Sequence, residues 1–143
     1  MVIPKFGVSK KKRLMHYVSS ALIEKNGKIL LINRRLPPFG FAGIGGHVDF
    51  GEDALHALRR EVREETGLTV TGQKLLFEKE VAGNRCVMGI NTHYWYLFEC
   101  DVSGRVRKDS IEEKSIGWYS IDEMKKLKLE PIWKYWFKRL KII

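Results

Sequence analysis

The chain has 143 residues, 44% hydrophobic, 30% charged and 11% aromatic, and its 26 Lys and Arg against 17 Asp and Glu give a formal charge of +9. That composition supplies one soluble domain with a single core and excludes disordered or collagen-like chains. No apolar run approaches the roughly 18–20 residues that span a bilayer, and no apolar stretch follows the N-terminal charges, so the expectation is a cytoplasmic protein with no membrane partner.

Taken in chain order, residues 1–13 carry Lys5, Lys10, Lys11, Lys12 and Arg13 with no acid, a basic N-terminal segment of +5. His16 to Ile23 reads as a strand, Asn26-Gly27 as a turn signal, and Ile29 to Asn33 as the returning strand of a hairpin. From Arg35 to Gly46, Pro37, Pro38, Gly40, Gly43, Gly45 and Gly46 break every pattern, which predicts a loop crossing a surface. Asp53 to Thr66 has strong helix formers, an acid at its start and Gly67 at its end, and predicts a helix. Strands are expected near Lys74–Val81 and His93–Asp101, and a short one over Ser115–Tyr119. A helix opens at Ser120 or Asp122, and another begins at Pro131 and runs to the end. There is no internal repeat and no linker, so the chain is expected to be one domain, 1–143, with a mixed sheet and helices packed on it. Residues 124–143 carry seven bases against Glu130, while 14–123 hold 14 bases and 16 acids. The positive charge therefore belongs to the two ends, and the body is slightly acidic.

Cys86 and Cys100 form no C-x-x-C pair and have no clustered histidine beside them in sequence, which predicts reduced thiols and neither a zinc site nor a disulfide. His16, His47, His56 and His93 show no ligand spacing and are expected to be structural.

The informative stretch is Gly46 to Leu68, GHVDFGEDALHALRREVREETGL. At about 100° per residue, Ala54, Leu55, Leu58 and Val62 form an apolar stripe, Arg59, Arg63 and His56 face another way, and Glu61, Glu64 and Glu65 lie together beside the stripe. Like charges at i, i+4 destabilise a helix by a few tenths of a kcal/mol each, so three acids beside a buried face call for a hard divalent cation or for arginine partners.

This stretch resembles the Nudix box: Gly, five residues, Glu, seven residues, then Arg-Glu-aliphatic-any-Glu-Glu-any-Gly-aliphatic. Gly46, Glu52, Arg60, Glu61, Val62, Glu64, Glu65, Gly67 and Leu68 occupy every fixed position. The hairpin ending in LLINRR, the approach GFAGIGGHVDFGE and the WYSIDEM segment are similar to Nudix features too, with Ile44 where many members have proline. The resemblance implies a Nudix fold, an α/β/α sandwich around a mixed β-sheet, and hydrolysis of a nucleoside diphosphate linked to a further group, dependent on Mg2+ or Mn2+. It implies Glu61, Glu64, Glu65 and the Gly46 carbonyl as metal ligands, with Glu112 as a further acid and Glu113 its neighbour. Glu52 and Arg60 would orient the others. The general base lies among Glu52, Glu65 and Glu112.

Gly45 and Gly46 let backbone approach metal and diphosphate. Arg35 is expected to point into the cleft and hold a phosphate, since only one of Arg34 and Arg35 can face inward on a strand. Phe41 and Tyr94, with Phe39 and Tyr96, are the candidate base-stacking surface.

Branch markers are mostly negative. Gly83 replaces the proline of many ADP-ribose hydrolases, Arg85 the tyrosine of diadenosine-polyphosphate hydrolases, and Leu129 the asparagine of an oxidised-guanine reader. The C-terminal KLEPIWKYWFKRL is similar to the last helix of MutT-like triphosphatases, so the first reading is a MutT-like pyrophosphohydrolase of a small nucleoside triphosphate. A second reading is removal of pyrophosphate from an RNA 5′ end by way of the basic termini. A third is a catalytically silent nucleotide-sensing module, although such a module would be expected to have lost box carboxylates and all are present. Many members of the family dimerise, and the aromatic-rich C-terminal segment would serve a homodimer.

Overall fold

Alternation and turn chemistry account for most of the strands in the computed structural model, which describes residues 2–109 and 111–143. The strands are β1 (Phe6–Val8), β2 (Leu14–Lys25), β3 (Lys28–Arg34), β4 (Phe41–Ala42), β5 (Ile44–His47), β6 (Thr69–Ala82), β7 (Thr92–Ser103) and β8 (Glu113–Ser120). The helices are α1 (Ala54–Thr66), α2 (Ile121–Met124) and α3 (Pro131–Arg139).

The β2–β3 hairpin turns at Asn26 and Gly27, both with positive φ, but pairs only through Glu24–Ile29 and Lys25–Lys28. Beyond that the strands part. Strand β2 runs parallel to β7 and antiparallel to β1 and β5, while β3 pairs with β4 and β8. Strand β6 closes the far side against β7, and the result is a mixed sheet of eight strands.

Adjacent residues of β2 point to opposite faces. On one face the Ser19 hydroxyl donates to the Ala54 carbonyl at the start of α1. On the other, Val18 pairs with Trp95, whose ring meets Trp133 and Trp136 of α3 at 6.0 and 5.8 Å. Helices thus cover both faces, as expected. Ala57, Leu58 and Val62 are buried from α1, and Ile132, Trp133, Trp136 and Phe137 from α3. Trp133, Trp136 and Phe137 of the C-terminal helix therefore lie in the core, while Tyr135 is exposed.

Four expectations change. The glycine-rich stretch read as a loop contains β4 and β5, whose pairing depends on tertiary partners more than on propensity. The basic N-terminal segment contributes β1, joined to β2 through Phe6–His16, Gly7–Met15 and Val8–Leu14. Strand β6 is longer than predicted, beginning at Thr69, with register shifts at Val70/Gly72 and Leu75/Phe77 that break its alternation. The helix from Pro131 stops at Arg139.

Candidate active site

Helix α1 is fixed at both ends. Asp53 accepts from the His56 N–H at 2.7 Å, and Gly67, at φ 77°, donates its N–H to the Arg63 carbonyl. This anchors Glu61 and Glu65 against β5. Gly45 donates its N–H to Glu65 Oε2 at 2.9 Å. Any side chain at Gly46 would place its Cβ 2.5 and 2.6 Å from the two Glu61 oxygens, so glycine is a packing requirement there.

Arg60 is the hub of the carboxylates. It clasps Glu52 through two bonds, Nε to Oε2 at 2.8 Å and Nη2 to Oε1 at 2.9 Å. It also donates to Glu61 at 2.8 Å, Glu64 at 3.2 Å and the His47 carbonyl at 2.9 Å, and lies 3.2 Å from Asp49. Glu52 further accepts from the Asp49 N–H, and its Oε2 lies 2.6 Å from His56 Nδ1. The Arg60 hydrogen bonds outweigh the desolvation and hold the Glu52 carboxyl down to about 2. Glu61 behaves oppositely. Burial pushes it up to about 7 although Arg60 pulls it down, and burial raises Glu65 well above the usual carboxylate range, with Glu61 adding repulsion. Arg60 is thus shared among several acids, which leaves buried Glu65 and half-buried Glu61 short of positive charge.

A cleft of about 390 Å³ brings Gly45, Gly46, Glu61, Glu64, Glu65 and Glu112 to one space. Glu52 acts from behind, through Arg60. Glu112 and Glu113 divide as neighbours on a strand end must. Glu112 is exposed and borders the cleft, while Glu113 is fully buried, accepts from the Asp109 N–H at 3.1 Å and is pushed up to about 7 by burial.

Three predicted contacts lie elsewhere. The residue facing the cleft is Arg34, which donates to the Pro38 carbonyl; Arg35 instead donates to the carbonyls of Glu112 and Glu113. Phe41 packs edge-on against Tyr119 at 5.6 Å. Tyr94 points to the sheet face opposite His93 and Trp95, donating its hydroxyl to Glu78 and packing on Tyr17 and Tyr96. The apolar lining of the cleft includes Trp95, Trp133 and Ile132. Sequence reading also missed Glu130, which is 6% exposed, borders this surface and leaves Oε2 without a hydrogen bond, 3.6 Å from Arg34 Nε. Its signal was its place immediately before Pro131, the first residue of α3.

Three of the four histidines, which show no ligand spacing in sequence, come together with Cys86. Among the described residues, His16, His47, Cys86 and His93 are the group whose potential ligand atoms all lie within 4.8 Å of one another. Burial lowers the imidazoles of His47 and His93 to about 4.

Carboxylates on the third and fourth turns of a helix, two set against a glycine strand and two tied by one arginine, match a known family. A model described as the NUDIX domain covers residues 14–140. The chain belongs to the NUDIX family. This NUDIX protein is 32% identical over 135 residues to an ADP-ribose pyrophosphatase of Methanocaldococcus jannaschii, covering 88% of this chain and 75% of the relative. It is 32% identical over 120 residues to a CTP pyrophosphohydrolase of Escherichia coli, covering 80% and 82%. Among solved structures it is similar to a MutT NUDIX hydrolase from Burkholderia pseudomallei, at 26% identity and a TM-score of 0.68, covering 76% of this chain and 85% of that one. These likenesses make the protein a NUDIX hydrolase that cleaves a pyrophosphate linkage, in a family that generally uses a divalent metal. No helix among the described residues is long and apolar enough to cross a membrane.

Proposed function

We propose that this NUDIX protein is a magnesium-dependent hydrolase of a nucleoside diphosphate derivative, with a small nucleoside triphosphate as first substrate. The observation that carries this reading is the pair of carboxyls, buried Glu65 and half-buried Glu61, held against Gly45 and Gly46 with less positive charge than they need. A hard cation with oxygen preference fits that donor set, with Glu61, Glu64, Glu65, Glu112 and the Gly46 carbonyl as the groups that would hold it. When bound, the metal supplies charge neutralisation for the diphosphate and acidifies water.

The chain's own residues do the rest. Arg60 and Glu52 set the rotamers of Glu61 and Glu64. Arg34, at the cleft, offers a guanidinium for phosphate oxygens. Trp95 and Trp133 present aromatic surface beside Glu130, whose unpaired oxygen suits an amino or imino group of a base. Of the three acids proposed as general base, Glu52 is the poorest: both oxygens are engaged and its affinity for a proton is low. Glu112 is open to the cleft and suits proton acceptance best.

The likeness to an ADP-ribose pyrophosphatase supports a second substrate class, nucleoside-diphosphate sugars. The RNA 5′-end reading stays the alternative: the aromatic face of α3 is buried, and Lys134 and Lys138 lie on its outer side, open to a phosphate backbone. Incubation with magnesium and NTPs, dNTPs, nucleoside-diphosphate sugars, dinucleotides and 5′-triphosphate RNA, in 18O-labelled water, identifies both product and attacked phosphorus. Release of pyrophosphate from a free triphosphate is expected. Exclusive turnover of a diphosphate sugar or of RNA would replace the first substrate, and no turnover with magnesium or manganese would overturn the reading.

A further inference from the structure

Three histidines far apart in sequence meet because of strand register. The parallel pairing of β2 with β7 sets His16 beside His93, and the antiparallel pairing of β2 with β5 sets His47 beside Val18, two residues along on the same face. Their rings contact one another at centroid distances of 5.0, 5.8 and 6.1 Å. The turn between β6 and β7 folds back through bonds from the Cys86 N–H to the Ile90 carbonyl and from the Gly89 N–H to the Cys86 carbonyl. This lowers Cys86 onto the trio, with Sγ 4.0 Å from His16 Nδ1.

His93 is 2% exposed and His16 6%, and the Nε2 atoms of His47 and His93 are buried without a hydrogen-bond partner. Buried ring nitrogens normally find a partner. Here two rings have such a nitrogen, and each of the three rings offers one nitrogen within 4.8 Å of the Cys86 thiol.

We propose that His16, His47, His93 and Cys86 form a zinc site, separate from the carboxylate site. Nitrogen and thiolate donors select zinc over magnesium, which prefers oxygen. The present separations, all within 4.8 Å, need to contract to roughly 3.3–3.6 Å for tetrahedral bonding, a matter of side-chain rotation and a small inward step of the Cys86 turn. The two sites lie on opposite faces of β5: Gly46 abuts Glu61, while its neighbour His47 joins the histidines. Both border the cleft, so zinc would fasten the turn bearing Cys86 and Val87 as one of its walls. The assignment stands independently of which nucleotide the enzyme hydrolyses.

The test uses the full chain, stripped with a chelator and kept in excess magnesium, then titrated with cobalt(II) and zinc(II). One equivalent of cobalt is expected, with tetrahedral ligand-field bands and a thiolate-to-cobalt charge-transfer band, all displaced by zinc. Cys86→Ser should abolish the charge-transfer band, and His93→Gln should weaken zinc binding by at least ~100-fold, whereas Glu64→Gln should leave both intact. Circular dichroism checks folding. Cys86 is only half-buried and in a turn, so its variant decides the matter if His93→Gln does not fold. Absence of a zinc equivalent, cobalt binding without the charge-transfer band, or loss of binding in Glu64→Gln but not in Cys86→Ser would overturn the assignment.

Discussion

Gly46→Ala tests whether the glycine strand sets the position of the Glu61 carboxylate. The added methyl carbon would lie 2.5 and 2.6 Å from the Glu61 oxygens, where relaxed carbon–oxygen contact needs roughly 3.3–3.6 Å. Glu61 or the β5 backbone must therefore move by close to 1 Å. Overpacking of this kind costs about 1–3 kcal/mol of stability, and a displacement of about 1 Å at a reacting centre costs about 100-fold in rate. The assay is kcat/KM for the best substrate at saturating magnesium, with urea unfolding in parallel. Gly27→Ala provides the comparison, since Gly27 sits at φ 75° with open space around it, far from the cleft. It should lose about 1 kcal/mol of stability from the left-handed conformation and no activity. A Gly46→Ala enzyme within twofold of wild type in kcat/KM would refute the reasoning.

Glu52→Gln should lose about 1–2 kcal/mol at neutral pH, a figure discounted for the solvent that reaches Arg60. Because Glu52 is held down to about 2, its contribution is present above the ordinary carboxylate range and disappears as pH falls from about 4.5 toward 2, so the variant's urea midpoint should be flatter over that window. For Glu61, pushed up to about 7, magnesium must displace a proton. Apparent magnesium affinity should rise with pH through 7, falling up to about tenfold per unit below it, and calorimetry in two buffers of different ionisation enthalpy should show proton release. Burial likewise pushes Glu130 up to about 7, so the folded protein loses stability as pH rises from about 4.5 to 7. Glu130→Gln should therefore gain about 1–2 kcal/mol near pH 8 and little near pH 4, while changing the order of preference among bases.

The helix of the box was legible because its caps, apolar stripe and acids all depend on local spacing, and Asp53 and Gly67 bound it as expected. Legible too were the hairpin turn at Asn26-Gly27 and the placement of Glu112 at the cleft. What escaped depends on phase and on tertiary pairing. Alternation says that one of Arg34 and Arg35 faces inward but not which, and a register shift at Asn33/Arg34 makes the count from upstream unsafe. The same phase problem sends Tyr94 away from the cleft and Trp95 toward it. Strands β4 and β5 are too short and glycine-rich to show a period. The three histidines and Cys86 come from β2, β5, β7 and a turn, and no linear spacing relates them.

The central claim is that buried box carboxylates bind the metal that supports hydrolysis, and Glu65→Gln addresses it most directly. The amide keeps the side-chain volume and an acceptor for the Gly45 N–H, and it removes a charge from a buried position, so folding should not suffer. Turnover measured against magnesium concentration is predicted to fall by at least about 100-fold at every concentration, with urea stability equal to or above that of the parent protein. Turnover within a factor of two of wild type would contradict the account.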